Sequence, residues 1–134
     1  MKRSSHFAVA NIIGTVIAIV LLLLLFIFPG HYLQKMTQEL DATAEDTTEA
    51  VLSGDWQRAR RDTLAMRERF DRSKQPIKLF LNHEDIDELE AHIYSAVLLA
   101  QVEEGANLLD NVEHIRNAVA YLEGIETFNI FNLF

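Results

Sequence analysis

Residues 33–70 read LQKMTQELDATAEDTTEAVLSGDWQRARRDTLAMRERF, and their spacing decides the fold class. Leu33, Met36, Leu40, Thr43, Thr47 and Ala50 recur every three or four residues, the period of a helix that buries one stripe. Ser53-Gly54-Asp55 then reads as a stop followed by an N-cap. Trp56, Ala59, Thr63, Met66 and Phe70 resume the same period in a second helix. Threonine is a mediocre helix former, so the first helix is expected to be the weakest of the set. On the wet face of the second, Arg58–Asp62, Arg67–Asp71 and Glu68–Arg72 stand four apart and can pair.

Downstream the pattern repeats twice. Lys74 to Leu81 reads as a break, because Pro76 has no N–H for a helix interior. Asn82 resembles an N-cap, with Glu84 and Asp85 in the first turn, where the helix dipole favours anions. Ile86, Leu89, Ile93, Ala96 and Ala100 form a third stripe. A turn at Glu103-Glu104-Gly105 leads to a fourth, Leu108, Val112, Ile115, Val119 and Leu122. No sustained alternation argues for a strand. The expectation is an all-α, antiparallel up-down bundle of about four helices over residues 31–127.

Charge agrees with that arrangement. Asp55 to Lys78 carries eight basic and four acidic residues, whereas Glu84 to Glu126 carries one and eleven, and His31 to Gly54 one and five. A basic second helix between acidic neighbours is self-complementary, which explains its arginine run without an anion-binding role.

Upstream lies a stretch of another kind. Residues 7–28 contain no charge, and only Asn11 and Thr15 are strongly polar. As a helix they would extend about 33 Å, against about 30 Å of bilayer hydrocarbon. From Val16 to Phe28, twelve of thirteen residues are Val, Ile, Leu or Phe. Their insertion is worth on the order of −4 to −7 kcal/mol. The expectation is an uncleaved transmembrane helix at 7–28, ended or kinked at Pro29-Gly30. A cleaved signal fits less well, because Phe28-Pro29-Gly30-His31-Tyr32 is a poor cleavage site. Lys2 and Arg3 would keep residues 1–6 cytoplasmic. The remainder, with 10 basic and 20 acidic residues, would lie outside the cytoplasm at a net charge of −10. Such acidity argues against nucleic-acid binding.

If the bundle helices lead alternately away from and back toward the bilayer, the Ile77–Leu81 loop and the apolar tail at 128–134 share the membrane-side end. Lys74 and Lys78 could then reach headgroups. Trp56, Ile77, Phe80, Phe128, Ile130, Phe131 and Phe134 are the interaction candidates. Packing across the bundle's base explains the loop and tail residues equally, and Trp56 is better explained as a core or corner residue. Asn11 and Gly14 would favour helix–helix contact in the bilayer, including self-association.

Catalytic and cofactor chemistry finds no motif. The chain has no cysteine, no nucleophile-elbow serine and no glycine-rich phosphate loop. The densest polar cluster is His83-Glu84-Asp85-Ile86-Asp87-Glu88, with His92 beyond it, and His83 and Asp87 are its weak metal candidates. Bundle metal sites use Glu-x-x-His pairs on two helices, and no such pair occurs here. His31 and His114 read as isolated. Neither a catalytic residue nor a cofactor is expected.

Gly54-Asp55-Trp56, Leu81-Asn82-His83-Glu84, Ile86-Asp87-Glu88 and Asn129-Ile130-Phe131, behind one apolar helix, resemble a DUF4363-like family. These are small single-pass membrane proteins of Gram-positive bacteria, catalogued only as a domain of unknown function. The resemblance covers nearly the whole chain and implies a membrane-anchored helical domain with no assigned activity. It also marks His83, Asp87 and the Asn129–Phe131 tail as family-typical. The functional expectation is a non-enzymatic adaptor for another membrane or envelope protein; the alternative is an extracytoplasmic bundle that senses a ligand or metal ion.

Overall fold

The computed structural model describes the backbone of residues 3–79 and 81–131, and the side chains of 9, 11–24, 30–79 and 81–125. These residues form four helices and no strand: α1 (Arg3–Leu52), α2 (Trp56–Ile77), α3 (His83–Gln101) and α4 (Gly105–Phe131). Each packs on its neighbours in sequence, and α1 closes the ring against α4. This is the up-down-up-down bundle that short connections favour.

The four expected stripes are the core. Leu40, Met66, Phe70, Ile86, Leu89, Ile93, Leu108 and Ile115 are fully buried, and Leu33, Met36, Val112, Val119 and Leu122 nearly so. The threonines of α1 satisfy their hydroxyls locally. Thr43 and Thr47 are buried with their hydroxyls on the carbonyls four residues back, at 2.7 and 2.8 Å, so no orphaned donor enters the core. Thr37 donates to Gln34 O and, at 2.6 Å, to Glu123 of α4.

The turns rest on local chemistry. Gly54 takes a φ of +73°, and Asp55 N–H returns to Ala50 O at 2.8 Å, a Schellman closure of α1. The Asp55 side chain then caps α2 through Arg58 N–H at 2.9 Å. α3 ends the same way, with Glu104 N–H on Leu99 O at 3.0 Å, but the left-handed residue is Glu103 at φ 59°. A side chain there costs about 1–2 kcal/mol, which the 2.6 Å ion pair from Arg60 helps offset. Asn82 caps α3 by accepting from Glu84 N–H at 3.2 Å.

The break expected at Pro76 and the stop or kink expected at Pro29-Gly30 both fall inside helices. α1 runs through Pro29-Gly30 as one helix of 50 residues, about 75 Å long, and does not stop at the apolar boundary. α2 likewise continues to Ile77, with Pro76 in its last turn. A proline removes one hydrogen bond, and packing on either side can hold the helix across that gap. At Pro76 the loss is made good, because the Arg72 carbonyl, left without its i+4 donor, accepts from the Tyr32 hydroxyl of α1 at 3.4 Å.

The charge pattern acts between helices as expected. Arg58 of α2 meets Asp46 and Glu49 of α1 at 3.0 and 2.9 Å, and Lys78 meets Asp87 of α3 at 2.7 Å. Lys74 pairs with Glu90. Arg116, the only basic residue of α4, reaches Asp41 of α1 at 2.8 Å. Within α2, Arg58–Asp62 and Arg67–Asp71 form at 3.5 and 3.7 Å. Exposed pairs of this kind add little stability each; they select which helix faces align.

Candidate functional site

Two parts of the molecule are not explained by packing alone. One is the end of the bundle from which the apolar half of α1 emerges. Every described side chain from Val9 to Leu24 is exposed, the large apolar ones by 48–64%. Consecutive residues Ile19 to Leu24 are exposed alike, apolar on all sides rather than along one stripe. Among the described residues no helix is long and apolar enough to cross a membrane. The side chains of Phe7, Ala8, Ala10 and Leu25 to Phe28, part of the expected span, lie outside that description.

At the same end, Ile77 is 4% exposed and closes the base of the core, so it is no part of the free surface. Leu79, in the turn just beyond, is 79% exposed. Lys74 and Lys78, expected to be free for headgroups, are held by Glu90 and Asp87. Trp56 lies at the opposite end, half-buried, its ring 3.5 Å from where a side chain on Gly105 would begin. It is a corner residue that keeps the start of α4 close. Phe80, Phe128, Ile130, Phe131 and Phe134 fall outside the described side chains.

Of the two weak metal candidates, Asp87 is held by an ion pair and His83 is exposed. Among the described residues no group of three or more His, Cys, Asp or Glu could hold a metal ion. The Lys78 hydrogen bond, reinforced by its charge, holds the Asp87 carboxyl below the ordinary carboxylate range against the opposing pull of desolvation. A depressed folded value makes the pair's contribution full above about pH 5, and it is lost as pH falls through that value below about 4. The thermal midpoints of the wild type and Asp87→Asn should therefore differ at pH 7 and converge toward pH 3. A constant gap across that range would mean that the ion pair is not what separates them.

The second part joins two histidines that are 22 positions apart in sequence. His92 of α3 and His114 of α4 stack with ring centroids 4.9 Å apart and planes 9° from parallel. Beneath them Asn111, only 8% exposed, donates through Nδ2 to the His92 carbonyl at 2.6 Å. Its Oδ1 therefore faces His92 Nδ1, at 2.9 Å, and that nitrogen must carry the proton. The other ring nitrogen is left as the basic one, 4.0 Å from Glu88, while His114 Nε2 is 3.7 Å from Asp110. Asp85, Glu88, Asn117 and Tyr121 line the open hollow around the pair. It can receive a hydrogen-bonding ligand. Each histidine alone looks unremarkable in sequence; the buried Asn111 in an apolar stripe was the available signal.

The fold thus defines an antiparallel four-helix bundle carried on an extended first helix with an exposed apolar shaft. The chain belongs to the family described as Domain of unknown function (DUF4363), whose model matches residues 27–133. That match takes in the whole bundle and begins at the last residues of the apolar run. No curated protein and no solved structure gave a match.

Proposed function

We propose that this protein is a membrane-anchored helical bundle without catalytic activity of its own, serving as an adaptor for another membrane or envelope protein. One observation carries the reading: the shaft of α1 from Val9 to Leu24 exposes its apolar side chains all round. In water such a surface invites aggregation; in lipid it is the ordinary surface of a spanning helix. Lys2 and Arg3 on the near side argue for a cytoplasmic N-terminus and a bundle outside the cytoplasm. The test is affinity capture of the full-length chain from gently solubilised membranes, beside a chain ending at Gly124. Recovery of one membrane protein only with the intact C-terminus supports the adaptor and places its contact there. Recovery of nothing by either, with both folded, counts against it.

A second reading is favoured by the His92–His114 pair. Imidazoles over a buried amide in an open hollow suit a small ligand, as expected of a sensing bundle. A ligand bound by the folded state must raise the thermal midpoint as its concentration rises.

A further inference from the structure

We propose that the shaft end of the bundle rests directly on an anionic bilayer surface, with Lys35 and Arg72 on lipid phosphates and Leu79 in the interface. The inference rests on the anchor reading and adds a second membrane contact to it. Among the described residues, Lys35 and Arg72 are exposed cations with no ion-pair partner, unlike Lys74 and Lys78 beside them. Glu68, one turn back on α2, is not within ion-pair distance of Arg72, although the spacing allows it.

The heights of these groups agree. Tyr32 bonds to the Arg72 carbonyl, so Arg72 lies level with a residue about 6 Å beyond Phe28, where the apolar run ends. Lys35 starts about 10 Å beyond it and has a long flexible stem. The headgroup zone occupies about 5–7 Å on each side of the hydrocarbon. From Arg72 to Ile77, α2 descends about 7.5 Å farther toward the shaft. That brings Leu79, exposed in the following turn, level with the last turn of the apolar run. Two free cations in the headgroup layer and an exposed leucine at its inner edge form the pattern of an interfacial contact. Asp87 and Glu90 are neutralised by Lys78 and Lys74. Glu84 and Asp85, in the first turn of α3 beside the loop, form no ion pair among the described residues, so Lys35 and Arg72 act against two acids at an anionic surface.

The chain lacks cysteine, so a single Leu79→Cys change introduces a unique label position, with Leu98→Cys, on α3 well up the bundle and 64% exposed, as reference. The full-length labelled proteins are reconstituted into phosphatidylcholine vesicles, with or without 30% phosphatidylglycerol. Flotation is measured beside quenching by a headgroup-borne nitroxide lipid. The expected result is flotation in both compositions and stronger quenching at 79 than at 98, the excess rising with the anionic lipid. Lys35→Glu and Arg72→Glu should each weaken the anionic contribution about fivefold, and added salt should do the same. Flotation with equal quenching at the two positions overturns the contact and leaves the anchor standing. An excess at 79 that ignores lipid charge overturns the phosphate assignment. No flotation overturns the anchor and this inference together.

Discussion

Phe70→Ala should lower the unfolding free energy of the bundle by about 3–5 kcal/mol, because it empties a large site in a closed core. Phe70 is the largest of the fully buried side chains, set on α2 in one cluster with Met36, Leu40, Met66 and Ile86. Packed helices relax only partly into such a gap, so the loss includes a cavity as well as the transfer energy of the ring. The whole stability of a domain is typically 5–15 kcal/mol, and the variant could lose half of it. In denaturant unfolding of the full chain in mild detergent, the midpoint should fall sharply while the slope is kept. Leu98→Ala, on an exposed face of α3, should change stability by less than about 0.5 kcal/mol. Losses of similar size for the two would mean that α2 does not bury this face.

Ile17→Arg with Val20→Arg should release the protein from the membrane fraction. Each arginine near the bilayer centre costs about 2.5–3.5 kcal/mol, and each lost aliphatic residue forfeits about 0.3–0.6. The pair therefore opposes insertion by about 6–8 kcal/mol, against the −4 to −7 kcal/mol that the apolar run supplies. Both positions are half exposed and distant from the core, so the bundle should fold as before. Fractionation with an alkaline wash, read beside far-ultraviolet circular dichroism, separates release from unfolding. A folded double variant still resisting the wash would show that residues 7–28 are not what holds the protein to membranes.

Much of the fold is legible residue by residue. The stripes Leu33–Ala50, Ala59–Phe70, Ile86–Ala100 and Leu108–Leu122 are the buried faces, because a helix of fixed pitch can bury only residues that recur at its period. Asp55 and Asn82 cap the helices that follow them, since a short polar side chain ahead of an apolar run has an orphaned N–H within reach. The prolines misled. Pro29 and Pro76 are helix breakers by local rule, yet both lie inside helices. Nothing adjacent in sequence announces that Tyr32, 40 positions away, meets the carbonyl that Pro76 frees.

The candidate surfaces divide along the same line. The apolar shaft of α1 is visible in composition, because hydropathy adds up along a contiguous segment. Lys74 and Lys78 look as free as Lys35 and Arg72 until the acids of α3 are placed opposite them. His92 and His114 look isolated until the α3–α4 register stacks them over Asn111.

By itself, then, the sequence determined the number of helices in the bundle, the face each buries, two of the caps and the charge order around the bundle. All of these follow from interactions within a few residues or from sums along one segment. The tertiary structure alone decided that α1 is continuous, which cations remain unpaired and that two distant histidines share a site. Those depend on the rotation and height of one helix against another, which are set by core packing across the whole bundle.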